Sequence, residues 1–336
     1  MANQKNGTLL TVENLSVRYK TRAGWVSAID NVSLEIRRGE VLGLVGESGC
    51  GKSTLGKALL RMLPSSSRIS GHLWFDGQDL MQLSDSEMRR IRGKRISMVF
   101  QDPMTSLNPV QRVGDHIVET IQTHEPKVSK EEALERAGEL FDRLGISRSR
   151  LKDYPHQLSG GMRQRVMIAI ALALKADLII ADEATTSLDV IVEAQIIELL
   201  KELRDEFNLT ILLITHNIGL VAELADRILV MYAGQMAELS DVYSVFKEPL
   251  HPYTQGLLNA VPNIELDDTE ELYIMEGTTP DLIEPPPGCR FHPRCPYAMP
   301  VCSQLEPHFQ PARPEHYVHC WLHEEIPAEF RQEVSA

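Results

Sequence analysis

The stretch Gly46-Glu47-Ser48-Gly49-Cys50-Gly51-Lys52-Ser53 follows the pattern G-x-x-x-x-G-K-[ST], and no other part of the chain restricts the fold as tightly. The apolar run Val41-Leu42-Gly43-Leu44-Val45 precedes it and a helical run from Thr54 to Met62 follows, so strand, glycine loop and helix are expected in succession. Glycines let the backbone curl into a ring of N–H donors, and the helix N-terminus adds its positive dipole end. The expected phosphate-binding residues are Gly46, Ser48, Gly49, Cys50, Gly51, Lys52, Ser53 and Thr54. Lys52 would reach the β- and γ-phosphates of a nucleoside triphosphate, and Ser53 would ligate Mg²⁺.

Strands are expected on both sides of this unit. Residues 9–19 and 26–36 alternate apolar with polar side chains, the period of half-buried strands. Residues 71–75 form a third such strand, closed by a tight turn at Asp76-Gly77. Together they suggest a small antiparallel sheet beside the nucleotide strand. Residues 95–100 read as a short buried strand ending at Gln101, and the segment from about 104 to 175 as a helical insert. Within it Ser129 and Glu132 have capping-box spacing, and Gly145 ends the helix they open. The core resumes at residues 178–183, passes through a long helix from Val190 to Phe207, and returns as a strand at 210–215. Such alternation implies a mostly parallel sheet flanked by helices, with further strands at 227–232 and 235–239.

Composition narrows the setting. The 336 residues are 43% hydrophobic and 24% charged, with no apolar run near the about 18 residues that would suggest a membrane span. The polar start Met1-Ala2-Asn3-Gln4-Lys5 lacks a signal-peptide core, which predicts residence in the cytosol. A net charge of −13 argues against nucleic acid as the main partner, because phosphate backbones are bound through Lys and Arg. Any membrane contact is therefore expected to go through another protein. Four of the five cysteines, Cys289, Cys295, Cys302 and Cys320, crowd the C-terminal region behind an acidic and proline-rich stretch from Asn263 to Gly288. In a cytosolic chain that cluster reads as metal ligation.

Two further groups carry chemistry. Asp182 ends an apolar strand, where its carboxylate could hold Mg²⁺, and Glu183 follows it, placed to polarise an attacking water. Leu158-Ser159-Gly160-Gly161-Met162 opens a helix and forms a second anion-binding N-terminus.

Tyr19, the loop 46–53, Gln101, the LSGGM run, LIIADE at 178–183, Ser187-Leu188-Asp189 and Thr215-His216 stand in the order and spacing of the ATP-binding cassette family, which residues 8–245 resemble. The resemblance implies an α/β P-loop core with antiparallel and helical subdomains over 8–250, followed by a small cysteine-rich extension over 251–336. It implies that Tyr19 stacks on adenine, that Gln101 touches Mg²⁺ and senses a membrane partner, and that Glu183 is the catalytic base. It also implies that His216 contacts the γ-phosphate, and that Ser159, Gly160, Gly161 and Asp189 belong to the nucleotide site, Ser159 and Gly161 meeting ATP held by an opposing subunit. The chain departs from the commoner pattern with Met162 for Gln, Ala184 for Pro and Asn217 for Asp.

The tail is more specific. His251-Pro252-Tyr253-Thr254-Gln255-Gly256 and Pro287-Gly288-Cys289-Arg290-Phe291-His292-Pro293-Arg294-Cys295 resemble the extension of the oligopeptide, dipeptide and nickel importer ATPases. That likeness implies ATP hydrolysis at the cytoplasmic face of a membrane, a second cassette (a copy or a homologue), two transmembrane permeases and an extracytoplasmic solute-binding protein. The cysteines are separated by 5, 6 and 17 residues, without the close pair usual for a zinc ribbon. The family's extension implies a [4Fe–4S] cluster, and Zn²⁺ stays open as the alternative. Two rival readings are a non-transport cassette acting on DNA or ribosomes, without the long coiled coil or second cassette it would need, and an ATPase regulated by its metal module.

Overall fold

The five-residue strands Val41–Val45, Leu178–Asp182 and Thr210–Ile214 are buried at every position, as continuous apolar runs must be when a parallel sheet is covered on both faces. They belong to a computed structural model that describes residues 7–184, 190–260 and 275–330. Its contacts fall into two compact units, one of Met1–Leu9, Ile36–Val41 and Asp79–Ile214, the other of Leu10–Glu35, Leu42–Gln78 and Thr215–Ala336.

In the first unit Ile96–Val99 lies parallel to Leu178–Asp182, which lies parallel to Thr210–Ile214 in unbroken register from Leu178↔Thr210 to Asp182↔Ile214. Helices Val113–His124, Lys130–Arg143, Gly160–Leu172 and Val190–Phe207 complete it. Ser129 caps its helix by accepting from the Glu132 N–H, while Glu132 bonds Arg136 one turn on. Gly145, at φ 67°, follows that helix in the left-handed conformation expected of a terminator. Helix Gly160–Leu172 buries Gln164, Val166, Met167, Ile168, Ala169, Ala171 and Leu172, so it is enclosed on more than one face.

The second unit holds most of an antiparallel sheet in the order Trp25–Arg37, Thr8–Lys20, Arg68–Phe75, Gln78–Asp79. Register Leu10↔Phe75 to Arg18↔Arg68 is interrupted by a bulge between Glu13 and Ser16. Gly71 sits against that bulge, where a Cβ would come within 2.6 Å of the Glu13 and Asn14 carbonyls. The turn at Asp76 and Gly77 has φ of 51° and 78°, the left-handed pair that a tight hairpin requires.

A second set of strands surrounds the phosphate loop's own. Val41–Val45 runs parallel to Arg227–Tyr232, which turns through Ala233 and Gly234 into antiparallel Gln235–Asp241. His316–Val318 then pairs with Gln235–Asp241, through Glu238↔Val318 and Leu239↔Tyr317, and Gln310–Arg313 pairs with His316–Val318. The C-terminal extension thus lends two strands to the sheet of the nucleotide core, a join that composition did not signal. The contact is fixed by Glu238, wholly buried, which accepts from the Leu250 and His251 N–H groups at 2.8 and 2.9 Å and meets His316 Nε2 at 2.6 Å. Val301, Cys302, Trp321 and Phe330 form the extension's own apolar cluster, with Cys289, Met299 and Ile326 packed on it. No helix among the described residues is long and apolar enough to cross a membrane.

Candidate nucleotide site and cysteine module

The loop after Val45 is shaped by glycines that no other residue could replace at the same backbone. Gly46 has φ 148° and a Cβ there would lie 2.2 Å from the Met231 carbonyl; Gly51 has φ 109° and would meet the Ala28 carbonyl at 2.4 Å. Helix Lys52–Leu59 starts inside the motif, two residues earlier than the apolar pattern suggests, because Gly51 in the left-handed region is its N-cap. Lys52 Nζ donates to the Gly46 and Glu47 carbonyls at 2.7 and 3.0 Å, which holds the ammonium within the curl of the loop. Ser48 and Gly49 are exposed, so the ring of N–H groups opens to solvent on that side. Cys50 is buried; burial pushes its thiol up, and its carbonyl accepts from Gly234 N–H, pinning the loop to the next hairpin.

Tyr19 closes its strand beside the loop's helix, with its hydroxyl 3.3 Å from Thr54 Oγ1. The Thr215 N–H donates to the Leu44 carbonyl, which carries His216 to the end of the loop's strand, where it is exposed. Asn217, the departure from Asp, caps helix Ile218–Leu224 by accepting from Leu220 N–H at 3.3 Å. An amide oxygen serves this purpose as a carboxylate would.

In the first unit, Asp182 is 3% exposed at its strand end. Glu183 leaves the strand at φ 48°, a left-handed conformation costly for a side chain with a Cβ, and its N–H is tied to the Ile214 carbonyl at 2.8 Å. The strain turns its carboxylate to accept from Gln101 Nε2 at 2.7 Å, so these two predicted residues are in direct contact. Ser159 is the N-cap of helix Gly160–Leu172, its Oγ accepting from Met162 N–H, and it is exposed. Gly161 has no room for a side chain: a Cβ would approach Val192 Cγ1 to 2.6 Å. Ser187, Leu188 and Asp189 lie outside the described residues.

Hydroxyl, amide and carboxylate oxygens from Ser53, Gln101 and Asp182 are the hard donors that Mg²⁺ prefers. The four clustered cysteines are a different set. All are free thiols, and the Cys289 N–H donates to the Cys302 carbonyl. Burial, reinforced by the neighbouring thiols, pushes Cys289 up to about 11 and Cys320 up to about 12; Cys320 senses all three of the others. Among the described residues no three His, Cys, Asp or Glu side chains are grouped so as to hold one metal ion. The four cysteines supply soft sulfur donors to this module, but they are not drawn together there as one ligand set.

The residues that sequence reasoning missed join this module to the phosphate loop. Tyr253 Oη accepts from the Glu47 N–H at 2.8 Å, and Arg294 grips the Glu47 carboxylate with two bonds of 2.9 and 3.0 Å. Arg290 is paired with Asp30 and donates to the Ala233 carbonyl. Phe291 packs edge-on to Tyr232 with ring centroids 5.1 Å apart and tilts against Tyr253 at 5.6 Å. The two quoted tail stretches contain Tyr253, Arg290, Phe291 and Arg294, but nothing within them points to a partner in the phosphate loop.

Residues 29–186 match the family described as ABC transporter, and residues 237–302 match that described as oligopeptide/dipeptide transporter, C-terminal region. The chain is 47% identical to the dipeptide transport ATP-binding protein DppD of Bacillus subtilis, over 94% of this chain and 95% of that one. It is 46% identical to the oligopeptide transport ATP-binding protein OppD of Escherichia coli, over 93% and 94%. Among solved structures, the dimeric post-hydrolysis state of the ATP-binding cassette MJ0796 bound to ADP and Pi is similar at 30% identity and a TM-score of 0.63, covering 70% of this chain and 99% of that one.

Proposed function

The chain belongs to the ABC transporter ATPases of the oligopeptide/dipeptide importer type, and from that membership we propose how its residues do their work. It is the ATP-binding and ATP-hydrolysing subunit of a peptide importer, dimerises, and acts with membrane permease subunits. What supports peptide import, rather than cassette chemistry in general, is that the likeness runs through the extension as well as the cassette, over 94% of the chain.

The loop 46–53 receives the phosphates on its backbone N–H groups, and Lys52 supplies the charge for the β- and γ-phosphates. Tyr19, beside Thr54, offers its ring to the base. Ser53, Gln101 and Asp182 hold Mg²⁺, which neutralises phosphate charge when bound. Glu183 orients and deprotonates the attacking water, and the amide of Gln101 fixes the direction of its carboxylate. His216 contacts the γ-phosphate. Ser159, exposed at a helix N-cap, and Gly160 and Gly161 behind it bind the phosphates held by the opposing cassette, and Asp189 completes the nucleotide site. A solute-binding protein outside the membrane delivers the peptide, and the ATPase sits at the cytoplasmic face of the permeases. Cys289, Cys295, Cys302 and Cys320 ligate a [4Fe–4S] cluster whose role is structural, and the domains divide at about residue 250.

Vesicles reconstituted with the permeases and this ATPase should take up a labelled dipeptide only with ATP, and not with Glu183→Gln. ATP-driven movement of nickel without any dipeptide uptake would overturn the peptide reading.

A further inference from the structure

The contact between Glu47 and the extension has a chemistry that fold maintenance does not require. Glu47 lies inside the phosphate loop, and three groups fix its three polar parts. Its N–H goes to Tyr253 Oη at 2.8 Å, its carbonyl accepts from Lys52 Nζ at 3.0 Å, and its carboxylate takes both terminal nitrogens of Arg294. Arg294 is held in turn: its side chain is 7% exposed, Nε donates to the Glu276 carbonyl at 3.0 Å, and Nη1 also reaches Tyr232 Oη at 3.3 Å. An arginine guanidinium keeps its charge in a folded protein, so Arg294 meets the Glu47 carboxylate as a cation. Arg294 closes the short turn His292–Arg294, directly before Cys295.

A carboxylate in a loop that receives a triphosphate repels its ligand unless a cation is paired with it. We propose that Arg294 and Tyr253 are positioning residues of the phosphate loop: Arg294 neutralises and orients Glu47, Tyr253 fixes its N–H, and the cysteine-bearing extension thereby sets how tightly ATP is held. This rests on the assignment of residues 46–53 as the ATP cradle. The same geometry gives the cysteines a means to act on the ATP site, because movement of Cys295 moves the residue next to it.

Titration of the full-length protein with a fluorescent ATP analogue tests the proposal. Arg294→Met should weaken binding by about tenfold, and Glu47→Gln alone by less. Glu47→Gln added to Arg294→Met should restore most of the lost affinity, since the unpaired charge is then gone; a role confined to packing predicts no such rescue. Raising the salt concentration should also narrow the gap between Arg294→Met and the parent. Arg294→Met within twofold of the parent, or a double variant weaker than either single one, overturns the proposal. If Arg294→Met does not melt cooperatively, Tyr253→Phe, which deletes one hydroxyl, decides the matter: a loss of about threefold supports it, and unchanged affinity removes it. Lys52→Ala is the control for the cradle. Unchanged affinity there would remove the cradle and the proposal together, whereas a loss with Lys52→Ala and none with Arg294→Met removes the proposal alone.

Discussion

At Glu183 a backbone conformation, a hydrogen bond and a proposed chemical role meet in one residue. Its φ of 48° costs on the order of 1 kcal/mol or more, and the strand pairing of its N–H to Ile214 maintains it. Glu183→Gln keeps the side-chain shape and its contact with Gln101 but removes the carboxylate proposed to accept the water's proton. Hydrolysis should fall by two or more orders of magnitude while ATP affinity stays within a few-fold, as phosphate-release and ATP-titration measurements on one preparation would reveal. Turnover within tenfold of the parent would reassign the base. Gly51→Ala works through sterics instead. A Cβ at φ 109° and 2.4 Å from the Ala28 carbonyl forces the loop open, so ATP binding should be lost and the melting temperature should fall, with a cost of about 1–3 kcal/mol. That glycine was legible in the sequence because the pattern demands it. The partners of Glu47 were not, since a bidentate contact across 247 positions leaves no local trace.

Elements were most legible where one physical period dominated. Alternation in 9–19 and 26–36 gave strands now seen as Thr8–Lys20 and Trp25–Arg37, and the apolar runs gave the buried parallel strands. Boundaries drifted where a cap decided them, as at Gly51, and the short strand His316–Val318 escaped notice because three residues carry no period. One element, helix Pro252–Asn259, supplies a pH prediction. Its N-cap is His251, whose Nδ1 accepts from Tyr253 N–H, and burial lowers the ring to about 4 despite the Glu238 charge nearby. A histidine lowered on folding must stay neutral in the native state, so its contribution is complete above the unfolded value near ~6.5 and is lost as pH falls from there to about 4. The full loss is on the order of 3 kcal/mol. Unfolding midpoints measured between those two pH values should drop steeply for the parent and less for His251→Asn, which retains a capping oxygen. Parallel slopes for the two proteins would place the titrating group elsewhere.

For the whole molecule, the cysteine module is where sequence and structure differ most in emphasis. Its spacing suggested a separate metal-nucleated unit after a linker, whose first part, residues 263–274, lies outside the described residues. The extension instead shares a sheet with the nucleotide core, buries Phe291 among the core's aromatics and grips Glu47. Sequence spacing proposed four cysteine ligands but could not show what the segment around them holds in place. Protein purified anaerobically should be brown, absorb broadly near ~400 nm and contain roughly four irons per chain. Cys295→Ser should bleach the colour and expose residues 275–330 to protease, because the small cluster of Val301, Cys302, Trp321 and Phe330 is too little core to order the segment by itself. ATP binding should weaken by about the factor expected for Arg294→Met and should not vanish, since the loop's strand and glycines have their own packing. A colourless protein with one zinc per chain would replace the cluster but keep the ligands. Four freely titrating thiols and no metal would remove both, and would leave the hold of the extension on Glu47 to polypeptide contacts alone.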